Sequence, residues 1–363
     1  MLLALALAAT ISHAVDTTVK PLMAKEHIPG MAVGVIAGGK PFFFYYGAAS
    51  ETPAQPVSAH TLFEVGSISK TFSATLTAYA ARRGFISLSD RVEKYFPALH
   101  GTQFGEVTLL ELGTHTAGVL PLQVPDGVDT DGELVAYLKG FHSPKAPGSV
   151  RVYNNISIGT LGLIVAKRMH EDFASLMDHR LLPELGLEHT YVEVPPAQMG
   201  DYAEGHRTNG ATVRMKPGEL WSETYGVRTT APDLTRFLQI NMGEIQVDDL
   251  MARAIAATHT GYFQAGPMTQ DLIWEQYRYP VTLSALLDGT DMLGEVVPVR
   301  RLDPPMPPRV DVWLNKTGST NGFAAYVAFV PAENMGIVLL ANKSYPLEER
   351  VKAAFDILSS LSR

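Results

Sequence analysis

Runs of hydrophobic residues separated by short polar turns mark both ends of this 363-residue chain. Residues 31–37 and 41–47 flank a Gly-Gly pair, and two apolar runs around such a pair predict a β-hairpin. Residues 323–330 and 335–341 flank a second polar turn and predict another hairpin. We therefore expect both chain ends to contribute strands to one antiparallel sheet.

The middle of the chain has its apolar residues at helical spacing instead. Residues 71–83 are rich in alanine and end at Gly84, which is typical of a helix terminus. The proline-rich stretch 301–309 predicts a stiff loop. Further helices are predicted at residues 107–114, 131–141, 156–169, 173–182 and 347–361, with a short capped helix inside 87–97.

This alternation predicts an α+β fold, with an antiparallel sheet flanked by helices and a mostly helical lobe inserted between the two chain ends. We place the sheet lobe at residues 15–60 and 205–363 and the helical lobe at 61–204. Residues 1–14 predict a signal peptide, because an apolar run is followed by Ser12 and Ala14 at the spacing that signal peptidases read. We expect export to the periplasm.

The amino-acid composition limits the kinds of binding partner and cofactor that we expect. The net charge of −8 has no long run of like charge, so neither a nucleic acid nor an anionic membrane is an expected partner. The chain has no cysteine, which excludes disulfides and thiolate chemistry, and its eleven histidines include no HExxH motif. The sequence has no uninterrupted run of about 18 apolar residues, so we expect no membrane anchor. We expect a monomer that needs no metal or cofactor.

The stretch LFEVGSISKTF interrupts an apolar run with Ser67 and Lys70. If a helix begins at Ser67, the two side chains share one face, with Cβ atoms about 5–6 Å apart. The helix N-terminus favours an alkoxide on the serine, and a desolvated lysine has a lowered pKa and accepts the serine proton. A helix cap followed by a solvated lysine is the alternative, so the pair alone does not identify a nucleophile.

A second cluster, RVYNNISIG, directly precedes the predicted helix at 156–169. Asn154 or Asn155 would cap that helix, and a buried Tyr153 is common in any fold. The functional interpretation is that Tyr153 transfers protons while the Asn155 amide holds a substrate carbonyl.

A third cluster, WLNKTGSTNGF, follows strand-like residues before the final hairpin. Gly318 would let a substrate backbone lie against the strand edge, and Lys316 and Thr317 would then face an anionic substrate group. A lysine on an edge strand also protects against aggregation, so this cluster is ambiguous by itself.

Taken together, S-x-x-K, Y-x-N and K-T-G follow the order of the penicillin-recognising serine hydrolases, and the chain resembles the class C, AmpC-like β-lactamases. The resemblance extends from His27 to the C-terminus. Class A enzymes need S-D-N and a glutamate base, and this chain has no counterpart of either. The similar stretches are HIPGMAVGVIAGGKPFFFYYGAA, TLFEVGSISKTF, LLELGTHTAGVLPLQVP, YNNISIG, TYGVRTT, KTGSTNGFAAYVAFVP and GIVLLANKSYP.

The resemblance implies roles for the residues in these motifs. Ser67 would be the nucleophile, Lys70 and Tyr153 would form the proton network, and the N–H groups of Ser67 and Ser319 would make the oxyanion hole. Lys316 would bind the substrate carboxylate and favour the Tyr153 phenolate by its charge. Which of Lys70 and Tyr153 is the base stays open.

The resemblance also implies a set of substrate-binding residues, in which Gln123 and Asn155 hold the amide of the substrate side chain. Ser344 and Leu347 stand where some members of the family have asparagines, while Arg350 is retained. Trp221 and the segment 286–308 would border the site. The full set of expected substrate-binding residues is Gln123, Asn155, Thr317, Gly318, Ser319, Tyr225, Ser344 and Arg350.

The implied function is hydrolysis of β-lactam antibiotics by a class C serine β-lactamase, with a preference for cephalosporins. Two alternatives remain open. One is a D-alanyl-D-alanine carboxypeptidase or esterase of the same fold, and the other is a penicillin-binding sensor that stays acylated.

Overall fold

The computed structural model describes residues 2–361, with side chains from residue 7 onwards. Ten strands form one sheet in which neighbouring strands are antiparallel. Its order is β7-β4-β5-β6-β8-β9-β10-β1-β2-β3. The strands are β1 Gly30–Ala37, β2 Lys40–Glu51, β3 Ala54–Pro56, β4 Gly261–Ala265, β5 Met268–Gln270, β6 Glu275–Arg278, β7 Arg300–Met306, β8 Val312–Ser319, β9 Ala324–Val330 and β10 Met335–Ala341.

The centre of the sheet is buried on both faces, which explains why its strands are continuous apolar runs instead of alternating ones. In β9, Ala325, Val327 and Phe329 pack into one core, while Tyr326 and Ala328 pack into the other. Because successive side chains of a strand point to opposite faces, every residue of β9 is buried.

Helices cover both faces. The terminal helices α1 and α12 pack against each other and against the sheet on one face, while α9 packs on β1 and β10 on the other face, where α2 contacts α5 and α10. The helices are α1 Leu2–Glu26, α2 Ser69–Arg82, α3 Leu109–Gly113, α4 Asp131–Lys139, α5 Asn155–Met169, α6 Phe173–Leu176, α7 Leu182–Glu184, α8 Trp221–Thr224, α9 Ala231–Asn241, α10 Asp249–Thr258, α11 Leu283–Asp291 and α12 Leu347–Leu361.

The predicted fold class is confirmed, as are both hairpins and the principal helices. The two chain ends meet in the middle of the sheet, where β1 pairs with β10. The final helix, α12, has the bounds that its apolar spacing predicts. The lobe boundaries stay a prediction.

Two local predictions are wrong. Residues 87–97 do not form a capped helix. They contain the 3₁₀ turn Val92–Lys94, because the N–H groups of Val92 and Glu93 donate to the carbonyls of Val107 and Gly105. The proline-rich stretch is not a loop but lies largely in β7. A strand at the edge of a sheet pairs on one side only, so prolines without an N–H group are tolerated there.

The helix α1 continues through Ala14, where the predicted signal peptide ends. Ile11, Val15 and Val19 are completely buried against the sheet and α12. The signal peptide stays a prediction. Among the described helices, none combines the length and the apolar character needed to cross a membrane.

Asp271 is a fully buried carboxyl group in the turn between β5 and β6. Neither of its side-chain oxygens has a hydrogen-bond partner among the described residues, and burial raises its pKa well above 3.8. The group is therefore neutral in the folded protein at a pH where it ionises in the unfolded chain. Folding stability is lost as pH rises from the unfolded pKa towards the folded one.

We expect Asp271→Asn to be more stable than the parent protein, because the amide has no charge to suppress. The gain should be at least about 1 kcal/mol at pH 8 and smaller at pH 5, as measured by urea unfolding. Asp288→Asn, on the exposed face of α11, is the matched control. An equal gain at both pH values would contradict the proposed neutral state of Asp271.

Candidate active site

The turn that presents Ser67 is held by close contact between two backbones. Gly66 has a φ of 51°, and a Cβ at this position would lie 2.5 Å from the backbone nitrogen of Ser319. A Cβ on Gly318 would lie 1.9 Å from the carbonyl oxygen of Val65. Only glycine allows both approaches. The end of β8 is thereby locked against the serine turn.

Ser67 itself lies in a 3₁₀ turn, Gly66–Ile68, and the α-helix begins two residues later at Ser69. The expected helix start at Ser67 is therefore displaced, because Gly66 and the tight turn position the serine before regular α-helical geometry begins. Ser67 and Lys70 still meet, and Lys70 Nζ donates to Ser67 Oγ at 2.9 Å.

Lys70 is fully buried and also donates to the carbonyl oxygen of Thr224 at 2.9 Å. Its pKa is lowered to about 8, chiefly by burial and also by the nearby charge of Lys316, while Tyr153 opposes the shift. A substantial fraction of Lys70 is therefore neutral near pH 8, and a neutral amine accepts a proton.

Tyr153 lies beside both lysines. Its ring centroid is 5.3 Å from Lys70 Nζ and 5.0 Å from Lys316 Nζ. Burial on its own raises the pKa of the phenol, but the charges of Lys316 and Lys70 outweigh burial, so the net pKa is lowered. The next residue, Asn154, caps α5 by accepting from the N–H of Ser157, which fixes the backbone at the tyrosine.

His115 was not expected from the sequence. Its buried ring lies 4.6 Å from the Tyr153 ring, centroid to centroid, and the N–H of Val152 donates to its backbone carbonyl. Burial, together with the charge of Arg151, lowers its pKa well below 6.5, so the ring is neutral. No motif indicates this residue, because the contact depends on the fold alone.

Lys316 is completely buried, and its charge faces a carboxylate that the sequence did not indicate. Lys316 Nζ lies 3.7 Å from Glu275 Oε1, which also pairs with Arg151 at 3.1 Å. Glu275 Oε2 accepts from Asn315 at 3.1 Å, and Arg151 Nε donates to Gln270 at 2.7 Å. The Glu275 carboxylate therefore compensates the charges of two buried cations beneath the site, Arg151 and Lys316.

Arg350 lies behind β8 and not on its substrate side. Its guanidinium donates to the Gly318 carbonyl at 2.8 Å, to Ser319 Oγ at 2.7 Å and to the Tyr345 carbonyl. Arg350 is buried and does not line the cleft. Neither does Ser344, whose N–H donates to the His206 carbonyl. The structure thus brings these two predicted substrate-binding residues close to the site without placing them in it.

The cleft over Ser67 has a volume of about 640 Å³. Eight of the twelve predicted site residues line it, while Lys70 and Lys316 lie buried at its base. The eight are Ser67, Gln123, Tyr153, Asn155, Tyr225, Thr317, Gly318 and Ser319.

One side of the cleft was missed by sequence reasoning. It is formed by the hairpin of Gly205–His206 with Thr212–Val213 and by the residues that follow. Leu293, inside the expected segment 286–308, and Leu347 line the cleft as well. Trp221 does not, and borders a separate cleft instead. The residues absent from the prediction are Leu122, Arg207, Val213, Arg214, Met215, Lys216, Thr320 and Asn321.

The described part of the chain has no group of three or more histidine, aspartate and glutamate side chains placed to hold a metal ion. What it offers is a serine hydroxyl, a lysine with a lowered pKa, a tyrosine with a lowered pKa and backbone N–H groups at the end of β8. This is a set for nucleophilic catalysis by serine.

Comparisons with known proteins agree with this chemistry. The family model described as Beta-lactamase matches residues 15–362. A β-lactamase of Pseudomonas fluorescens is 46% identical over 98% of this chain and 100% of its own length. The crystal structure of the D-alanine carboxypeptidase AmpC from Burkholderia cenocepacia is 52% identical, with a TM-score of 0.93 over 97% of this chain and 99% of that one. A class C β-lactamase in complex with cefoxitin is 47% identical, with a TM-score of 0.95 over 97% and 99%.

We expect Lys70→Met to stabilise the folded protein at pH 7. Between about pH 8 and the ordinary lysine value of 10.5, the unfolded chain binds more protons than the folded one, so the parent protein becomes more stable as pH rises. The variant should be on the order of 2 kcal/mol more stable at pH 7, and this advantage should shrink towards pH 10 in urea unfolding. Lys139→Met, at an exposed helix end, is the control. A constant difference would exclude the lowered pKa as its cause.

We expect Glu275→Gln to be strongly destabilising, because it leaves Arg151 and Lys316 buried without a carboxylate. The loss should be about 3–5 kcal/mol in denaturant unfolding. Removing one cation as well, in Arg151→Met with Glu275→Gln, should recover part of that loss. A double variant less stable than the single one would contradict the charge argument.

Proposed function

Because the chain belongs to the β-lactamase family and is a class C serine β-lactamase, we propose that Ser67 opens the β-lactam ring and forms an acyl-enzyme. The observation that supports this most directly is the 2.9 Å hydrogen bond from Lys70 Nζ to Ser67 Oγ, made by a lysine whose pKa is lowered to about 8. A base within hydrogen-bond reach is what a serine needs to become a nucleophile.

In acylation, Ser67 Oγ attacks the ring carbonyl carbon and gives its proton to neutral Lys70 or to the Tyr153 phenolate. The carbonyl oxygen becomes an oxyanion that the N–H groups of Ser67 and Ser319 bind, which is supported by the close packing of Ser319 on the serine turn. The bond from carbonyl carbon to ring nitrogen then breaks, and the nitrogen takes a proton from the same network. Each of these two residues shifts the pKa of the other, so we treat Lys70 and Tyr153 together as the base and assign the proton to neither one.

Deacylation repeats these steps with water. A water molecule near Tyr153 attacks the ester carbonyl, its proton passes to the network, and the bond to Ser67 Oγ breaks as the serine regains a proton. The positive charges of Lys70 and Lys316 keep the pKa of Tyr153 low, which supports its role as the acceptor of the proton from water.

For substrate binding we propose that the Gln123 and Asn155 amides hold the amide of the acyl side chain, with Tyr225 alongside. The ring carboxylate would lie by Thr317, within the field of the buried Lys316. We assign Arg350 a positioning role instead of a substrate contact, because its guanidinium holds Gly318 and Ser319 from behind the strand.

We further propose a preference for cephalosporins, a monomeric enzyme and export to the periplasm with residues 1–14 as the signal peptide. The proposed export is supported by the apolar run followed by Ser12 and Ala14.

A second candidate activity is D-alanyl-D-alanine carboxypeptidase. The solved relative from Burkholderia cenocepacia, 52% identical to this chain, is described as a D-alanine carboxypeptidase. The same serine, lysine and tyrosine would form an acyl-enzyme from either substrate, so the two activities differ in binding and in deacylation. An acylated sensor is the third candidate.

We expect purified protein to hydrolyse a chromogenic cephalosporin over many turnovers, and Ser67→Ala to abolish hydrolysis because the nucleophile is gone. Steady-state absorbance and mass spectrometry of the acyl-enzyme are the measurements. Ser284→Ala, on the exposed side of α11, is the matched control and should keep full activity.

A single burst equal to the enzyme concentration would instead support the sensor. Release of D-alanine from a D-Ala-D-Ala peptide without cephalosporin turnover would support the carboxypeptidase. Full activity in Ser67→Ala would exclude the proposed mechanism altogether.

A further inference from the structure

The cleft is positively charged although the whole chain has a net charge of −8. Arg207, Arg214 and Lys216 line one side of it, and we refer to these three residues as the cationic wall. No aspartate or glutamate is among the cleft-lining residues. Within the described residues, the three side chains form no salt bridge. The exposed side chains of Arg207 and Lys216 are therefore available to a ligand.

Contacts with the rest of the protein hold the centre of the cationic wall, at Arg214, in place. Arg214 lies over the Tyr202 ring at 4.3 Å and donates to the backbone carbonyls of Tyr202 and Ala203. Behind it, the buried Glu64 carboxylate accepts from the N–H of Met215 at 2.7 Å. The backbone between Arg214 and Lys216 is therefore held in place. The side chains of Arg207 and Lys216 are exposed to solvent at the mouth of the cleft.

The position of the cationic wall in the cleft indicates which end of a bound substrate it would contact. In the proposed binding mode the substrate lies along residues 316–319, the end of β8 that extends beyond its pairing with β6. The ring carboxylate would lie near Thr317, and the acyl side chain would continue past Ser319 towards Thr320 and Asn321, which line the same cleft. The next residue, Gly322, packs against Val213, the neighbour of Arg214, because a Cβ on Gly322 would lie 2.7 Å from Val213 Cγ1. An acyl side chain on this path would approach the cationic wall, which lines the same cleft.

We propose that the cationic wall selects β-lactams whose acyl side chain has an anionic group of its own, in addition to the ring carboxylate. This inference rests on the proposed function, because it assumes that a β-lactam acylates Ser67. Two ends of the cleft then bind two anionic groups, and Leu293 and Leu347 provide an uncharged surface. An exposed charge at the mouth also attracts an anionic substrate before contact, within a Debye length of about 8 Å at physiological salt.

The test uses three cephalosporins with one nucleus and a phenylacetyl-type side chain. They differ only at the side-chain α-carbon, which has a hydrogen, a carboxylate or an ammonium group. The quantity measured is the second-order rate constant for acylation of Ser67, by rapid quench and mass spectrometry, at about 0.02 M and about 0.5 M salt.

We expect the carboxylate compound to acylate fastest relative to the neutral one, and the ammonium compound slowest. Lys216→Glu should lower the carboxylate-to-neutral ratio at least about fivefold, and Arg207→Glu combined with it should lower the ratio further. High salt should reduce the same ratio in the parent protein. Lys40→Glu changes the net charge as much as Lys216→Glu does, lies at the exposed start of β2, and should leave the ratio unchanged.

The proposal is overturned if the wall variants change the ratio no more than Lys40→Glu does, or if salt has no effect on it. Lys216→Gln and Arg207→Gln supply the same comparison should a charge-reversed variant fold poorly. No acylation of the parent protein by the neutral compound would instead overturn the proposed function, which separates the two failures.

Discussion

Lys70, Lys316 and Arg151 are cations with no solvent exposure, and all three surround one tyrosine. Taking such charges out of water costs several kcal/mol each unless a partner compensates. Glu275 compensates the charges of Arg151 and Lys316. Lys70 has no such carboxylate among the described residues, and its burial lowers its pKa instead. The reactivity of the site and its cost to stability thus have the same origin, because the cationic field that favours a phenolate also opposes folding.

The fold supplies the rigidity that keeps these charges buried. Two glycines let the serine turn and the end of β8 approach within backbone contact, and Arg350 holds the same strand from behind. α5 starts beside the tyrosine with a satisfied cap, while the Thr224 carbonyl receives the lysine. Each group is held by an element from a different part of the chain, so displacement of any one element alters the distances among the others.

Local sequence predicted what depends on local geometry. The hairpins follow from apolar runs around short turns, α12 from helical spacing, and Ser67 with Lys70 from a separation of three residues. Glu275 and His115 were not predictable in this way, because their roles arise only when strands and loops distant in sequence pack under the tyrosine. The strand β7 was predicted as a loop because of its prolines. Its place at the edge of the sheet, where prolines are tolerated, is set by the whole fold and cannot be read from the local sequence. Arg350 and Ser344 were placed by their position in a motif, and the fold sets them beside the cleft without making them part of its lining.

The pairing of β1 with β10 has a consequence for how the protein is made. About 300 residues separate these strands along the chain, so at roughly 5–20 residues per second β1 waits on the order of 15–60 seconds for its partner during synthesis. Throughout that interval the edge of this fully apolar strand that β10 covers in the folded protein has no native partner. Contacts so distant in sequence also slow folding once the chain is complete. Unpaired apolar edges promote aggregation, so the interval before the two ends meet is the stage at which this chain is most exposed to it.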